Sequence, residues 1–490
     1  MTQKPRRLGE LDRRKHTPLG VRDEIRRNLL RKLRAGEKLF PGIVGFDDTV
    51  LPQIVRALLG RHDMIFLGLR GQAKTRLCRL LAQLLDPEVP VIEGSALREH
   101  PLQPLTESSR ARIEAEGDDL LIEWLTPEER YGEKLATPDV TMADLIGDVD
   151  PLKAAHQKLD LSNEEVIHFG IIPRMNRGIF AVNELPDLAP RIQVGLLNIL
   201  EERDIQIRGF PIRIPLDVLL VFTANPEDYT NRGSIITPLK DRIASQILTH
   251  YPKTIEDARE ISKEEAWTER GSELPRVEVP EFIADIIEEI AFKGRDSEYV
   301  DQKSGVSARL PISAHELLVS QVELRMLQKE DVSPIPRLID LAAVLPAVTG
   351  KVELVYEGEQ EGAIQVARHL VGTACRMVFD RYFPDAIREG SDLKPKSDRY
   401  KPTLDWFAKG NRIEISDGLD DDAYCAALDK VPGLGDLVKQ FLPSKSRLVR
   451  AAAMELVLEG LHQHSLLAKE DVTSGAAYTD MLGVMLEGLK

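Results

Sequence analysis

Residues 64–75 read MIFLGLRGQAKT, and the fold turns on them. Met64, Ile65, Phe66 and Leu67 form a short apolar run that reads as a buried strand. A glycine-bearing turn follows, and from Arg76 the run RLCRLLAQLL has the apolar spacing of a helix. Strand, turn and helix in that order build a phosphate-binding loop. Successive backbone N–H groups wrap the phosphates, a lysine reaches the terminal ones, and a threonine hydroxyl ligates Mg²⁺. The start of the helix adds the positive end of its dipole. The nucleotide-binding candidates are therefore Gly68, Arg70, Gly71, Gln72, Ala73, Lys74, Thr75 and Arg76, with Thr75 also the metal ligand. In the pattern G-x-x-x-x-G-K-[ST], Ala73 stands at the second glycine. Alanine prefers a negative φ, so the loop must be of a kind that tolerates it.

The chain has 490 residues, room for roughly two to four domains with proper cores. Its 42% hydrophobic and 30% charged content is that of a soluble globular protein. Eighty acidic residues against 65 basic ones give a net charge of −15, which does not invite nucleic acid over the whole surface. Cys78, Cys375 and Cys425 lie far apart with no pairing or metal-ligand spacing, which fits a reducing, cytoplasmic setting. Cys78, on the helix after the loop, reads as a packing residue. No apolar run approaches the ~20 residues of a membrane span, and the charged N-terminus has no hydrophobic signal core. The expectation is a soluble, unexported protein.

Upstream of the loop, residues 1–40 carry thirteen Lys or Arg against five Asp or Glu. Ile25, Leu29, Leu30 and Leu33 recur there at helical spacing. This reads as a basic arm with an amphipathic helix, solvated or docked on a neighbouring subunit, with nucleic-acid or membrane binding as the alternatives. At 40–48, FPGIVGFDD, the backbone around Val44 can pass close to an adenine edge. Downstream, VPVIEG (89–94) reads as a second strand. Residues 95–134 read as an acidic, helix-forming insertion; within 106–134 nine acidic residues face four basic ones, the balance of a solvated or partner-facing surface.

Two later strands supply polar tips. GIFAVNELPDL (178–188) is an apolar run ending in Asn183-Glu184, and ligands of open α/β sheets bind at such carboxyl ends. Hydrolysis of a nucleotide needs there an oxygen ligand for Mg²⁺ or its water shell, which Asn183 offers without a charge. It also needs a carboxylate to polarise water, which Glu184 provides. Residues 204–215, DIQIRGFPIRIP, read as a β-hairpin around Gly209-Phe210-Pro211. DVLLVFTA (217–224) then ends in Asn225-Pro226-Glu227, an amide placed to hold the water or sense the γ-phosphate. In LKDRI (239–243), Arg242 is either a surface arginine or a cation offered to a neighbour's phosphates.

Taken together, the loop, the Asn183-Glu184 strand, the hairpin, T-A-N-P and L-x-D-R-I resemble the AAA+ ATPases across about residues 40–350. Three details are similar to the MoxR and magnesium-chelatase I-subunit branch: the small residue before Lys74, the hairpin, and Asn176-Arg177-Gly178 before the Asn183-Glu184 strand. The family normally has Asp where Asn183 stands. The resemblance implies that Lys74 and Thr75 are the Walker A pair, Glu184 the Walker B glutamate, Asn225 sensor 1 and Arg242 an arginine finger acting in trans. It also makes Arg309, in GVSAR (305–309), the sensor 2 arginine.

The implied fold is α/β: a P-loop AAA+ core with a parallel sheet between helices, then a helical lid and a further mainly α-helical region. The boundaries are an arm at 1–40, the core at 41–250, the lid at 251–350 and the last region at 351–490. The implied function is an ATP-binding, Mg²⁺-dependent ATPase of MoxR type. It would assemble as a ring, often a hexamer in this family, and remodel a partner protein carrying a von Willebrand A domain. Two rivals stand beside it: a magnesium-chelatase I-type motor subunit, and a slow-turnover nucleotide-binding scaffold. Asp417–422, DGLDDD, reads as an acidic turn, and His462 and His464 diverge on their helix, against a metal site.

Overall fold

The computed structural model describes residues 4–157, 164–207, 213–226, 234–271, 273–329, 332–386, 398–472 and 475–481. The chain divides into two compact units, Met1–His250 and Tyr251–Lys490.

The first unit is built on a five-stranded parallel sheet of β1 (Met64–Leu67), β2 (Tyr131–Leu135), β3 (Gly178–Asn183), β4 (Val218–Ala224) and β5 (Ser245–Leu248), in the order β5-β1-β4-β3-β2. Leu67 pairs in register with Ala224 and Leu248, and Leu135 with Asn183, so all five carboxyl ends form one edge. Along each central strand successive side chains enter opposite cores. Ile65, Leu67, Phe180, Val182, Leu220 and Phe222 pack on one face, and Met64, Phe66, Ile179, Ala181, Leu219 and Val221 on the other. A sheet buried on both faces needs apolar residues at every position, which is why β1, β3 and β4 appear as unbroken hydrophobic runs. Each fully sealed Phe or Ile contributes about 2 kcal/mol.

Several expectations are corrected here. The helix α1 (Val21–Ala35) is not a solvated arm: Val21, Ile25 and Leu29 are sealed in the same core as β1. Glu24 on that helix, 2% exposed, forms a two-pronged ion pair with Arg130, 1% exposed, at 2.7 Å for both bonds. The stretch 89–92 is a strand, but it pairs antiparallel with residues 122–125 in a separate two-stranded sheet and does not join the main one. The 95–134 insertion is helical only at Glu107–Glu116; its end is β2, the edge of the main sheet. The hairpin at 204–215 is formed by Asp204–Gln206 and Arg213–Pro215. Its expected turn, Gly209-Phe210-Pro211, lies outside the described residues, as does Glu227.

The second unit is largely helical. Its long helices are α2 (Glu281–Asp296), α3 (Arg309–Gln328), α4 (Ala363–Tyr382) and α5 (Arg447–Gln463). They share one apolar core, in which Phe379 and Tyr400 are fully buried. A three-stranded antiparallel sheet adds to the helices expected of 351–490: Ile413–Ser416, Leu467–Val472 and Gly475–Asp480. Gly475 lets two of these strands meet, since a Cβ there would lie 2.0 Å from the Ile415 carbonyl oxygen. Asp420 caps the helix Asp421–Asp429 by accepting from the Ala423 N–H, so the acidic turn serves as a helix start. Residues 390–402, charged and proline-containing, read from sequence as a surface linker, and 390–397 of them lie outside the described residues.

Candidate functional site

The loop leaves β1 at Gly68, whose N–H donates to the Ala224 carbonyl at 3.2 Å and ties the loop to the end of β4. A Cβ on Gly68 would lie 2.0 Å from Thr249 Oγ1 and 2.1 Å from Gln72 Oε1, so only glycine fits. Thr249 Oγ1 itself donates to Gln72 Oε1 at 2.8 Å, closing the floor of the loop. Ala73 sits at φ +54°, ψ 16°. This left-handed conformation costs a non-glycine residue about 1–2 kcal/mol, and the loop holds it all the same. It resolves the apparent misfit: the backbone keeps the shape that glycine would give it.

Lys74 opens the helix Lys74–Leu80 and is buried. Its ammonium donates to the carbonyls of Gly68 and Leu69, the latter at 2.9 Å, and to Asn225 Oδ1 at 2.6 Å. Asn225, one residue past β4, turns its amide Nδ2 to Glu184 Oε2 at 3.1 Å. The cation, the amide and the carboxylate are thus joined in one line. Glu184 reaches this line because the chain turns sharply after β3, with Glu184 itself at φ +56°, ψ 52°. Two strained residues, Ala73 and Glu184, therefore flank the same spot, as strain does at functional sites.

Asn183 is 9% exposed and accepts from the Thr223 hydroxyl at 3.2 Å, while Thr223 Oγ1 accepts from the Glu184 N–H at 3.1 Å. Thr223 therefore sets both polar tips of β3. Thr223 lies within T-A-N-P and Thr249 in no motif; what each hydroxyl holds follows only from the pairing of the strands. Thr75 is half-buried in the first turn of the loop helix. Among the described residues no group of three or more His, Cys, Asp or Glu could hold a metal ion. The oxygens on offer are the Thr75 hydroxyl, the Asn183 amide and the Glu184 carboxylate. That hard, sparse set fits Mg²⁺, which keeps several waters and takes its other ligands from phosphates.

Val44 is half-buried in a loop anchored by Phe40, Ile43 and Phe46; beside it, Thr49 Oγ1 meets His250 Nε2 at 2.7 Å. Arg70 is exposed and Arg76 half-buried. Arg242 ends the helix Thr237–Arg242 and is bound to Glu201 of its own chain at 2.7 Å. Arg309, exposed, begins α3 in the second unit. Cys78 is fully buried, and burial pushes its thiol up, so it is a packing residue with no thiolate at neutral pH. The Asn176-Arg177-Gly178 stretch is a clasp at the other edge of the sheet. Asn176 donates to the Leu97 carbonyl at 2.8 Å and accepts from the Asp217 N–H at 3.0 Å. A Cβ on Gly178 would lie 2.1 Å from the Arg130 carbonyl oxygen.

No protein-family model matches the chain, and no curated protein does. Among solved structures, a candidate ATPase from Cytophaga hutchinsonii is 15% identical, with 72% of this chain and 95% of that one aligned at a TM-score of 0.30. NtrX from Brucella abortus, in complex with ADP, is 13% identical over 65% of this chain and 59% of its own, at 0.38. A cryo-EM model of the BchI–BchD complex of magnesium chelatase is 18% identical over 66% and 98%, at 0.34. At these scores the superpositions are loose, and the site is read from its own geometry. The fold itself is a five-stranded parallel sheet between helices, with a phosphate-loop-like turn after β1, and a second, largely helical unit. No described helix is long and apolar enough to cross a membrane.

Proposed function

We propose that the chain is an ATP-binding and ATP-hydrolysing AAA+ motor of the MoxR type. The observation that carries this reading is the Lys74–Asn225–Glu184 line at the carboxyl ends of adjacent parallel strands. A loop that only gripped phosphate would need the lysine; it would not need a carboxylate held beside it by an amide.

In this reading the backbone N–H groups of residues 70–75 cradle the phosphates, and Lys74 leaves its loop carbonyls to meet the terminal ones. Thr75 and Asn183 hold Mg²⁺ or its water shell, and the ion, when bound, spreads the charge of the transferring phosphoryl group. Glu184 accepts a proton from the attacking water, which Asn225 keeps in line. Arg309 and a neighbour's Arg242 stabilise the developing negative charge. To act in trans, Arg242 must exchange Glu201 for a phosphate, a modest cost because Glu201 is 54% exposed. Such a finger can supply several orders of magnitude in rate, so turnover would depend on a closed ring, with a von Willebrand A domain protein as the expected partner.

A second reading, a nucleotide-bound scaffold of slow turnover, is favoured by one feature. Asn183 brings no charge to the metal, and its oxygen is already shared with the Thr223 hydroxyl. The hydrolysis rate of purified protein with Mg²⁺ and ATP separates the two. The motor reading expects hydrolysis, and a Glu184→Gln variant that binds ATP without turning it over. It fails if wild-type protein hydrolyses nothing and Glu184→Gln alters neither nucleotide binding nor assembly.

A further inference from the structure

At the amino ends of the strands, the edge opposite the phosphate loop, lies a cavity of about 420 Å³. Asp63, Arg177 and Asp217 each immediately precede a strand of the main sheet and so stand along this edge. Four guanidinium groups, Arg22, Arg61, Arg177 and Arg203, line the cavity together with Asp23 and Asp217. Three of the four are matched by carboxylates. Arg22 and Arg203 share the buried Asp63 at 2.6 and 2.7 Å, and Arg61 pairs with Asp23. Asp217 is occupied by the Val21 N–H at 2.7 Å and stands 4.0 Å from Arg22.

Arg177 is the exception. Its one side-chain hydrogen bond goes to the Pro90 carbonyl at 3.1 Å, and it has no carboxylate partner among the described residues. It is held there firmly, because its N–H donates to the Asp217 carbonyl and its own carbonyl accepts from Arg130 at 2.8 Å. Burial, with the charge of Arg130 second, lowers Arg177 to about 10, so it stays charged at neutral pH. Glu24, Asp217 and Asp86 act on it only through space, and a largely buried guanidinium with no carboxylate hydrogen-bonded to it presents a planar fork matched to phosphate or carboxylate. Leu19 and Leu216 supply an apolar wall beside it. We infer that this cavity is a second ligand site, which takes a small oxyanion, the phosphate or carboxylate end of a metabolite, onto Arg177. The rim arginines draw the anion in: Arg61 is 56% exposed.

The site is independent of the nucleotide reading and is tested separately from it. Inorganic phosphate, and in parallel succinate, is titrated calorimetrically into the full chain saturated with ADP and Mg²⁺. Saturable binding of at least one anion is expected, weakened tenfold or more by Arg177→Met and about threefold by Arg61→Glu, which repels the anion at the mouth without disturbing buried packing. Lys74→Ala, which disables the loop, is expected to leave it unchanged. Tighter phosphate than succinate assigns a phosphorylated ligand, and the reverse a carboxylated one. The inference is overturned if neither anion binds saturably, if binding survives Arg61→Glu and Arg177→Met at full strength, or if Lys74→Ala abolishes it.

Discussion

Replacing Asn183 by Asp tests how the site handles its metal, and the structure sets the size of the effect. The side chain is 9% exposed and next in sequence to Glu184, and Asp keeps the oxygen that accepts from Thr223. With one water between carboxylate and ion, a distance of about 5 Å, the attraction to a divalent cation is about 7 kcal/mol at an effective dielectric of ~20. Against it stand repulsion from Glu184, about 3 kcal/mol at a similar separation, and a desolvation cost of roughly 1–3 kcal/mol. Both costs are present with and without the ion, so metal binding reports the attraction alone, and the Mg²⁺ concentration for half-maximal ATP hydrolysis should fall by about a hundredfold or more. With EDTA and no nucleotide only the two costs remain, and Asn183→Asp should unfold at lower urea than wild type, by about 4–6 kcal/mol. Both arms are read on one preparation, by a Mg²⁺ titration of phosphate release and by urea melts. A Mg²⁺ midpoint that stays put or rises would refute the assignment of Asn183 to the metal.

Three further outcomes follow from features away from that residue. Glu455 is 2% exposed and burial raises it to about 7, with the Tyr424 hydroxyl donating to it. Its folded value exceeds its unfolded one, so its contribution is complete below about pH 4.5 and is lost as pH rises through 7, by about 3 kcal/mol; Glu455→Gln should flatten that loss in urea melts between pH 5 and 8. Gly178→Ala places a methyl 2.1 Å from the Arg130 carbonyl oxygen, and the forced backbone shift should cost about 3 kcal/mol in urea unfolding. Ala73→Gly relieves about 1–2 kcal/mol of left-handed strain and gives back about 0.4–1 kcal/mol to the unfolded chain, so a small net stabilisation with unchanged ADP affinity is expected by calorimetry.

The nucleotide loop and its strand partners were legible because a sheet sealed on both faces leaves unbroken apolar runs, and their polar tips stand out against them. β2 was not legible. As an edge strand, YGEKL keeps Glu133 and Leu135 exposed, and its charges read as part of an acidic surface. The basic charges of residues 1–40 likewise outweighed three apolar positions that proved to be sealed. The strands LAKEDV and GAAYTD carry too few β-branched or aromatic residues to declare themselves; Gly475 marks only the close approach of GAAYTD to the Ile413–Ser416 strand. Site chemistry followed the same division. Lys74, Glu184 and Asn225 were visible as residue types in order, whereas the partners of Thr223 (Asn183 and the Glu184 N–H) and of Thr249 (Gln72) became visible only when strands were neighbours.

The helix at Val21–Ala35 has a practical meaning for anyone cutting this chain. A version begun at residue 41 would strip Arg130 of its only carboxylate among the described residues and open the groove filled by Val21, Ile25 and Leu29. Such a truncation removes a wall of the first unit, so lost binding or lost assembly in it would report collapse and say nothing of a partner. Trimming intended to probe what the N-terminal charges recognise should stop before Pro5, because Trp124 donates to the Pro5 carbonyl and Leu8 and Leu11 are buried against Ile92, Leu120 and Ile122.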